Sequence, residues 1–118
     1  MARKVKTVKE TPAPSSIRIG YLDFDISYGK ATHSDSAHGY CRKDAGHIHI
    51  NVSGNPVNDV NTLLHECLHA IVHTQGIPLS DDLEEQVVNS LSNGLIQVLR
   101  DNPRFVEYVV DTLFTRKK

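Results

Sequence analysis

The chain has no tryptophan, a single methionine and only two cysteines in 118 residues. Two thiols cannot build the disulfide framework of a small secreted scaffold. Cys41 and Cys67 therefore read as free thiols in a reducing compartment. No apolar run approaches the length needed to span a membrane, and the basic N-terminus is not followed by the apolar segment of a signal peptide. The expectation is a cytoplasmic protein with no membrane association. Charge of one sign is also lacking: the formal net charge is -1, which gives no general electrostatic reason to bind nucleic acid. What the chain does have is seven histidines.

The length suits one domain with one modest core, so a functional site has to share residues with that core. Residues 1–16 mix Lys, Arg, Thr, Pro and Ser with almost nothing to bury, and read as a flexible arm. Its basic residues Arg3, Lys4, Lys6 and Lys9 read as solvated. Residues 17–118 form the predicted domain. Ile17–Tyr28 alternates apolar and polar residues, with a change of phase at Tyr21–Leu22 just after Gly20, which predicts a bend or bulge. Gly29-Lys30 reads as a turn. Residues 31–46, with His33 and His38, read as a loop with a short strand near Tyr40. His47–Val52 alternates cleanly, placing Ile48, Ile50 and Val52 toward the core and His47 and His49 on the other face.

Beyond the turn signal Ser53-Gly54-Asn55-Pro56 the pattern is helical. Asn58 or Asp59 is the expected cap of a helix to about Gln75, stopped by Gly76 and Pro78. A second helix is expected from Ser80 or Asp81 to about Arg100. Asn102-Pro103 supplies a cap and a first-turn proline for a third, ending near Phe114. The basic residues Arg116, Lys117 and Lys118 suit a helix C-terminus. The fold class is α+β: a small sheet followed by three helices.

The first helix carries His65-Glu66-Cys67-Leu68-His69. Spacing of four sets two imidazoles one turn apart on one face, where both reach a single cation. Glu66 is offset by about 100° and can serve a water that the cation acidifies, without being a ligand. A shuffled chain of this composition would contain the pattern about 0.02 times. Thr62, His65, Glu66, His69 and His73 share one wedge of roughly 100°, while apolar residues fill the remaining arc. A polar stripe on a helix that is otherwise buried needs partners, and a metal supplies them. The competing interpretation is an amphipathic helix whose histidines face water. His73 is not expected to be a ligand, because three residues on successive turns do not converge on one tetrahedral ion.

The motif resembles that of the gluzincins, zinc peptidases whose HExxH helix is followed by a helix donating a glutamate. The resemblance runs from LLHECLHAIVH to EEQVVNSLSNGL and is closest to very small bacterial and phage members related to the ImmA/IrrE peptidases. It implies a zincin-like domain and one zinc ion per chain held by His65, His69 and a glutamate, with Glu66 as the base. Glu84 and Glu85 compete for the third position. Glu85 is favoured because Val88 and Asn89 follow it in the family's spacing, with Ser92 allowing close helix approach. Glu84 points into an apolar arc, where an unpaired carboxylate is costly and ligation would explain it.

The resemblance further implies a substrate-aligning strand, for which residues 47–52 are the candidate edge. Asn89 is a candidate to orient a ligand. His47, His49, Tyr40 and Tyr108 are candidates to line the cleft or donate to the transition state. The implied activity is hydrolysis of peptide bonds in a protein or peptide. The alternative is a non-catalytic, zinc-stabilised module that binds a regulatory partner. A nucleic-acid-associated protease of the SprT-like kind is disfavoured by the near-neutral charge and the missing downstream histidine.

Overall fold

A computed structural model describes residues 11–30 and 38–115. Arg3, Lys4, Lys6, Lys9, His33 and the terminal Arg116, Lys117 and Lys118 lie outside the described residues. The order of elements is β1 (Ser16–Ile19), β2 (Leu22–Gly29), β3 (Gly39–Arg42), β4 (His47–Asn51), α1 (Pro56–Gln75), α2 (Asp81–Asp101) and α3 (Pro103–Phe114). The expected α+β layout, a small sheet and then three helices, is what forms.

The phase change at Tyr21–Leu22 is a tight hairpin. Ile19 pairs with Leu22, and Gly20 takes a φ of 62°, a left-handed conformation that a side chain disfavours. The arm predicted for residues 1–16 overlaps the sheet at its end. Pro14 accepts a hydrogen bond from the Tyr28 hydroxyl, and the Ser15 carbonyl accepts from the Ile26 amide.

The sheet is mixed, in the order β1-β2-β4-β3, with β2 and β4 parallel and the other pairs antiparallel. Strand period two sorts the side chains. Phe24 and Ile26 of β2 and Ile48 and Ile50 of β4 are buried with Cys67 and Ala70 of α1 in one core cluster. Val52 does not join them: β4 ends at Asn51, and Val52 is half exposed. β4 is also not an edge. It is hydrogen-bonded on both sides, so the edge beside α1 is β3, correcting the assignment to residues 47–52.

The predicted N-cap also moves. Asn55, not Asn58 or Asp59, caps α1 by accepting from the Val57 and Asn58 amides, with Pro56 pre-set in the first turn. Asp59 instead accepts from the amide and hydroxyl of Ser53, pinning the turn that leads into the helix. Gly76, in left-handed geometry at φ 65°, ends α1, with the Ile77 amide returning to the Val72 carbonyl. Ser80 caps α2 through the Leu83 amide. At the α2–α3 junction the Asn102 side chain donates back to the Val98 carbonyl instead of capping α3. No helix among the described residues is long and apolar enough to cross a membrane.

Candidate metal centre

α1 lies over the sheet and α2 packs along α1, with Val88 and Ser92 buried at the contact. Burial of the small Ser92 matches the close approach expected of it. Between α1, the N-terminal half of α2 and the edge strand β3 runs a cleft of about 720 Å³. His65, Glu66, His69, Glu84, Glu85 and Lys43 stand around its charged end. Gly39 lets β3 reach this position, since a Cβ there would collide with the His49 carbonyl and press on Thr62 of α1.

Three side chains converge. His65 Nε2 and His69 Nε2 are 3.2 Å apart. Glu85 places Oε1 3.0 Å from His69 Nε2 and Oε2 3.3 Å from His65 Nε2. Ligand atoms held about 2.1 Å from one tetrahedral ion lie roughly 3.4 Å from each other, so this donor set fits a single small cation. His65, His69 and Glu85 can hold a metal ion. Three protein ligands leave a fourth position open, as sites that do chemistry require.

The two consecutive glutamates divide the work. Glu84 is buried, and its Oε2 lies 2.7 Å from His69 Nδ1 and 3.3 Å from Lys43 Nζ. A carboxylate at Nδ1 holds the proton there and leaves the Nε2 lone pair free to face a cation. The hydrogen bond to His69 is the main reason the Glu84 carboxyl sits below its usual range; burial opposes it and Lys43 adds to it. The cost that made Glu84 a rival ligand is thus met by His69 and Lys43. Lys43, in the turn between β3 and β4, was not singled out by the sequence, because its partner lies 41 residues away.

Glu66 lies on the sheet side of the histidines and is almost fully buried. Burial pushes its carboxyl up to about 7, with Glu85 adding to the rise and His69 and Lys43 opposing it. Burial also holds the His65 imidazole below its ordinary value, against the pull of Glu85. A neutral imidazole is the form that ligates. Thr62, on the same stripe, is satisfied within the helix by donating to the Asn58 carbonyl.

Other candidates fall elsewhere. His73 is exposed and outside the cleft, as expected of a residue one turn too far along. His47 and His49 do not line the cleft. They stand on the opposite sheet face from Ile48 and Ile50, where both hydrogen-bond Ser27, at 3.0 and 2.7 Å. Tyr40 stacks on His49 and still borders the cleft, whereas Tyr108, on α3, is well exposed and does not. Asn89 lines the cleft with Asn58, Asn61 and Asn93, and Asn61 donates to Asn93 across the two helices at 2.8 Å. No family model, no curated protein and no solved structure matches this chain.

Proposed function

We propose that this chain is a zinc-dependent metallopeptidase that hydrolyses peptide bonds in a protein or peptide. The observation that carries the reading is the convergence of His65, His69 and Glu85 within ligand distance of one another, with the buried carboxyl of Glu66 beside them. Zinc is the ion best suited to two imidazoles and a carboxylate in a four-coordinate site. When bound there it supplies a Lewis acid that acidifies water and polarises a carbonyl.

The chain's own residues supply the rest. Glu84 and Lys43 fix the ring of His69, so that its Nε2 is presented in one tautomer and one orientation. Glu66 accepts a proton from the attacking water and returns it to the leaving amine. Burial raises the Glu66 carboxyl and so strengthens it as a proton acceptor. β3 has a strand neighbour on one side only among the described residues, and its Gly39, Tyr40 and Cys41 border the cleft. An extended peptide can pair with that free edge and lay its scissile bond toward Glu66.

Glu66 also separates this reading from a zinc-stabilised binding module, which needs the ligands but has no use for a buried base. The test is Glu66→Gln in the zinc-loaded protein, assayed on a library of quenched fluorescent peptides. The expected result is unchanged zinc content with turnover reduced by at least about a thousandfold. Equal cleavage by the variant and the parent removes Glu66 from the mechanism. Zinc binding with no cleavage of any peptide by the parent favours the binding module.

A further inference from the structure

The cleft has two ends of different chemistry. One holds the metal centre; the other is walled on the helix side by Asn58, Asn61, Asn89 and Asn93. α1 and α2 run antiparallel along it, with Asn61 meeting Asn93 as His69 meets Glu85. At a rise of about 1.5 Å per residue, Asn61 stands roughly 6 Å along α1 from His65 and roughly 12 Å from His69. β3 covers the same distance. Gly39 lies against Thr62, beside Asn61, and Lys43, just past the strand, reaches Glu84 at the charged end.

Asparagine is a poor residue for a helix interior, because its side chain competes for the backbone. Four of them facing one groove need a reason, and the fold supplies little. The neighbouring hydroxyls are spent within their own helices: Thr62 donates to the Asn58 carbonyl and Ser92 to the Asn89 carbonyl. A single hydrogen bond joins the amides, from Asn61 Nδ2 to Asn93 Oδ1 at 2.8 Å. Asn61 Oδ1 is buried and has no donor among the described residues. Leaving such an acceptor unmet is costly. Exchanging the oxygen and nitrogen of Asn61 only transfers the deficit to its other amide atom. Asn93 is exposed, so its side chain can turn aside and admit a group to Asn61.

We infer that the amide end is a specificity subsite for a carboxamide side chain, glutamine or asparagine, of the substrate; this rests on the peptidase reading. Extended peptide rises about 3.3 Å per residue, so the distance from the histidines sets that side chain two to three residues from the scissile bond. A carboxamide brings both a donor for Asn61 Oδ1 and an acceptor for an asparagine N–H. A carboxylate brings no donor and an ammonium no acceptor. Either would shed its hydration with no opposite charge among the four asparagines. An aliphatic side chain would fill the space and leave Asn61 unpaired.

The test is a positional-scanning library of end-labelled peptides on the zinc-loaded full chain. Cleavage is read with the parent, and binding of the same peptides by fluorescence anisotropy in the Glu66→Gln background. Glutamine or asparagine at one position should be favoured over leucine, glutamate and lysine at least about tenfold in kcat/KM. Asn61→Leu should remove the preference. Asn61→Asp should transfer it to lysine, a gain that a misfolded variant cannot show. Cleavage with no carboxamide preference, or a preference unmoved by both substitutions, overturns the inference and leaves the peptidase reading standing. If no peptide is cleaved, the peptidase reading fails and anisotropy decides the subsite alone. Tighter binding of the glutamine peptides, lost in Asn61→Leu, then supports it, and equal binding of all peptides overturns it.

Discussion

Glu84 and Glu85, neighbours on α2, grip opposite sides of one imidazole: Glu84 lies 2.7 Å from Nδ1 of His69, and Glu85 lies 3.0 Å from its Nε2. A helix turns about 100° per residue, so consecutive side chains can bracket a ring that neither could reach twice. One glutamate faces the cation position and the other fixes the proton on the far side.

This division predicts two different losses. Glu85→Ala removes a ligand and should abolish tight zinc binding. Glu84→Gln keeps the shape but loses the charge on Nδ1, and should weaken zinc binding by about 10- to 100-fold. Lys43→Met should weaken it less, since Lys43 acts on His69 only through Glu84. Competition against a chromophoric chelator measures all three. A Glu84→Gln protein as weak as Glu85→Ala would mean that Glu84 is itself a ligand.

Cys41 and Cys67 should be poor nucleophiles despite being free. Burial, reinforced by the nearby Glu66 carboxylate, pushes the Cys41 thiol up to about 12 and that of Cys67 up to about 11. A raised thiol stays protonated and inert until the pH approaches its own value, so reactivity should climb only in strong alkali. Alkylation of Cys41 by iodoacetamide at pH 8 should run at least about a hundredfold slower than that of a free thiol. Rates equal to a free thiol would show that the strand next to the cleft opens readily.

The helix cap gives a stability test that separates the sequence expectation from the structure. Asn55→Ala should cost about 1 kcal/mol, because two amides of the first turn lose their acceptor. Asn58→Ala should cost a few tenths at most, since the Asn58 side chain caps nothing. Chemical denaturation of the metal-free protein reads both. A larger loss at Asn58 would return the cap to the position that the hydrophobic pattern alone suggested.

Local periodicity made much of the fold legible. The alternation in His47–Val52 and the spacing in His65–His69 need only neighbouring residues, and both elements form there, save that the strand stops at Asn51 and leaves Val52 half exposed. The cap was ambiguous because Asn55, Asn58 and Asp59 are all good capping types; Pro56 immediately after Asn55 was the signal that distinguished them. Strand order was not legible. The resemblance puts the substrate-aligning edge on residues 47–52, the strand before the motif helix, yet β3 pairs with that strand and takes the edge. Lys43 was hidden for the same reason. Its role depends on a turn meeting a helix far along the chain, and no local pattern marks it.

Zinc content after gentle purification, measured by inductively coupled plasma mass spectrometry on the parent chain and on a His65→Ala/His69→Ala variant, tests the central claim most directly. The account predicts about one zinc per parent chain and none above background in the variant, with both proteins equally helical by circular dichroism. A parent chain that carries no zinc and takes up none when zinc is added would contradict it. The histidines and glutamates would then be no more than a hydrogen-bonded cluster between two helices.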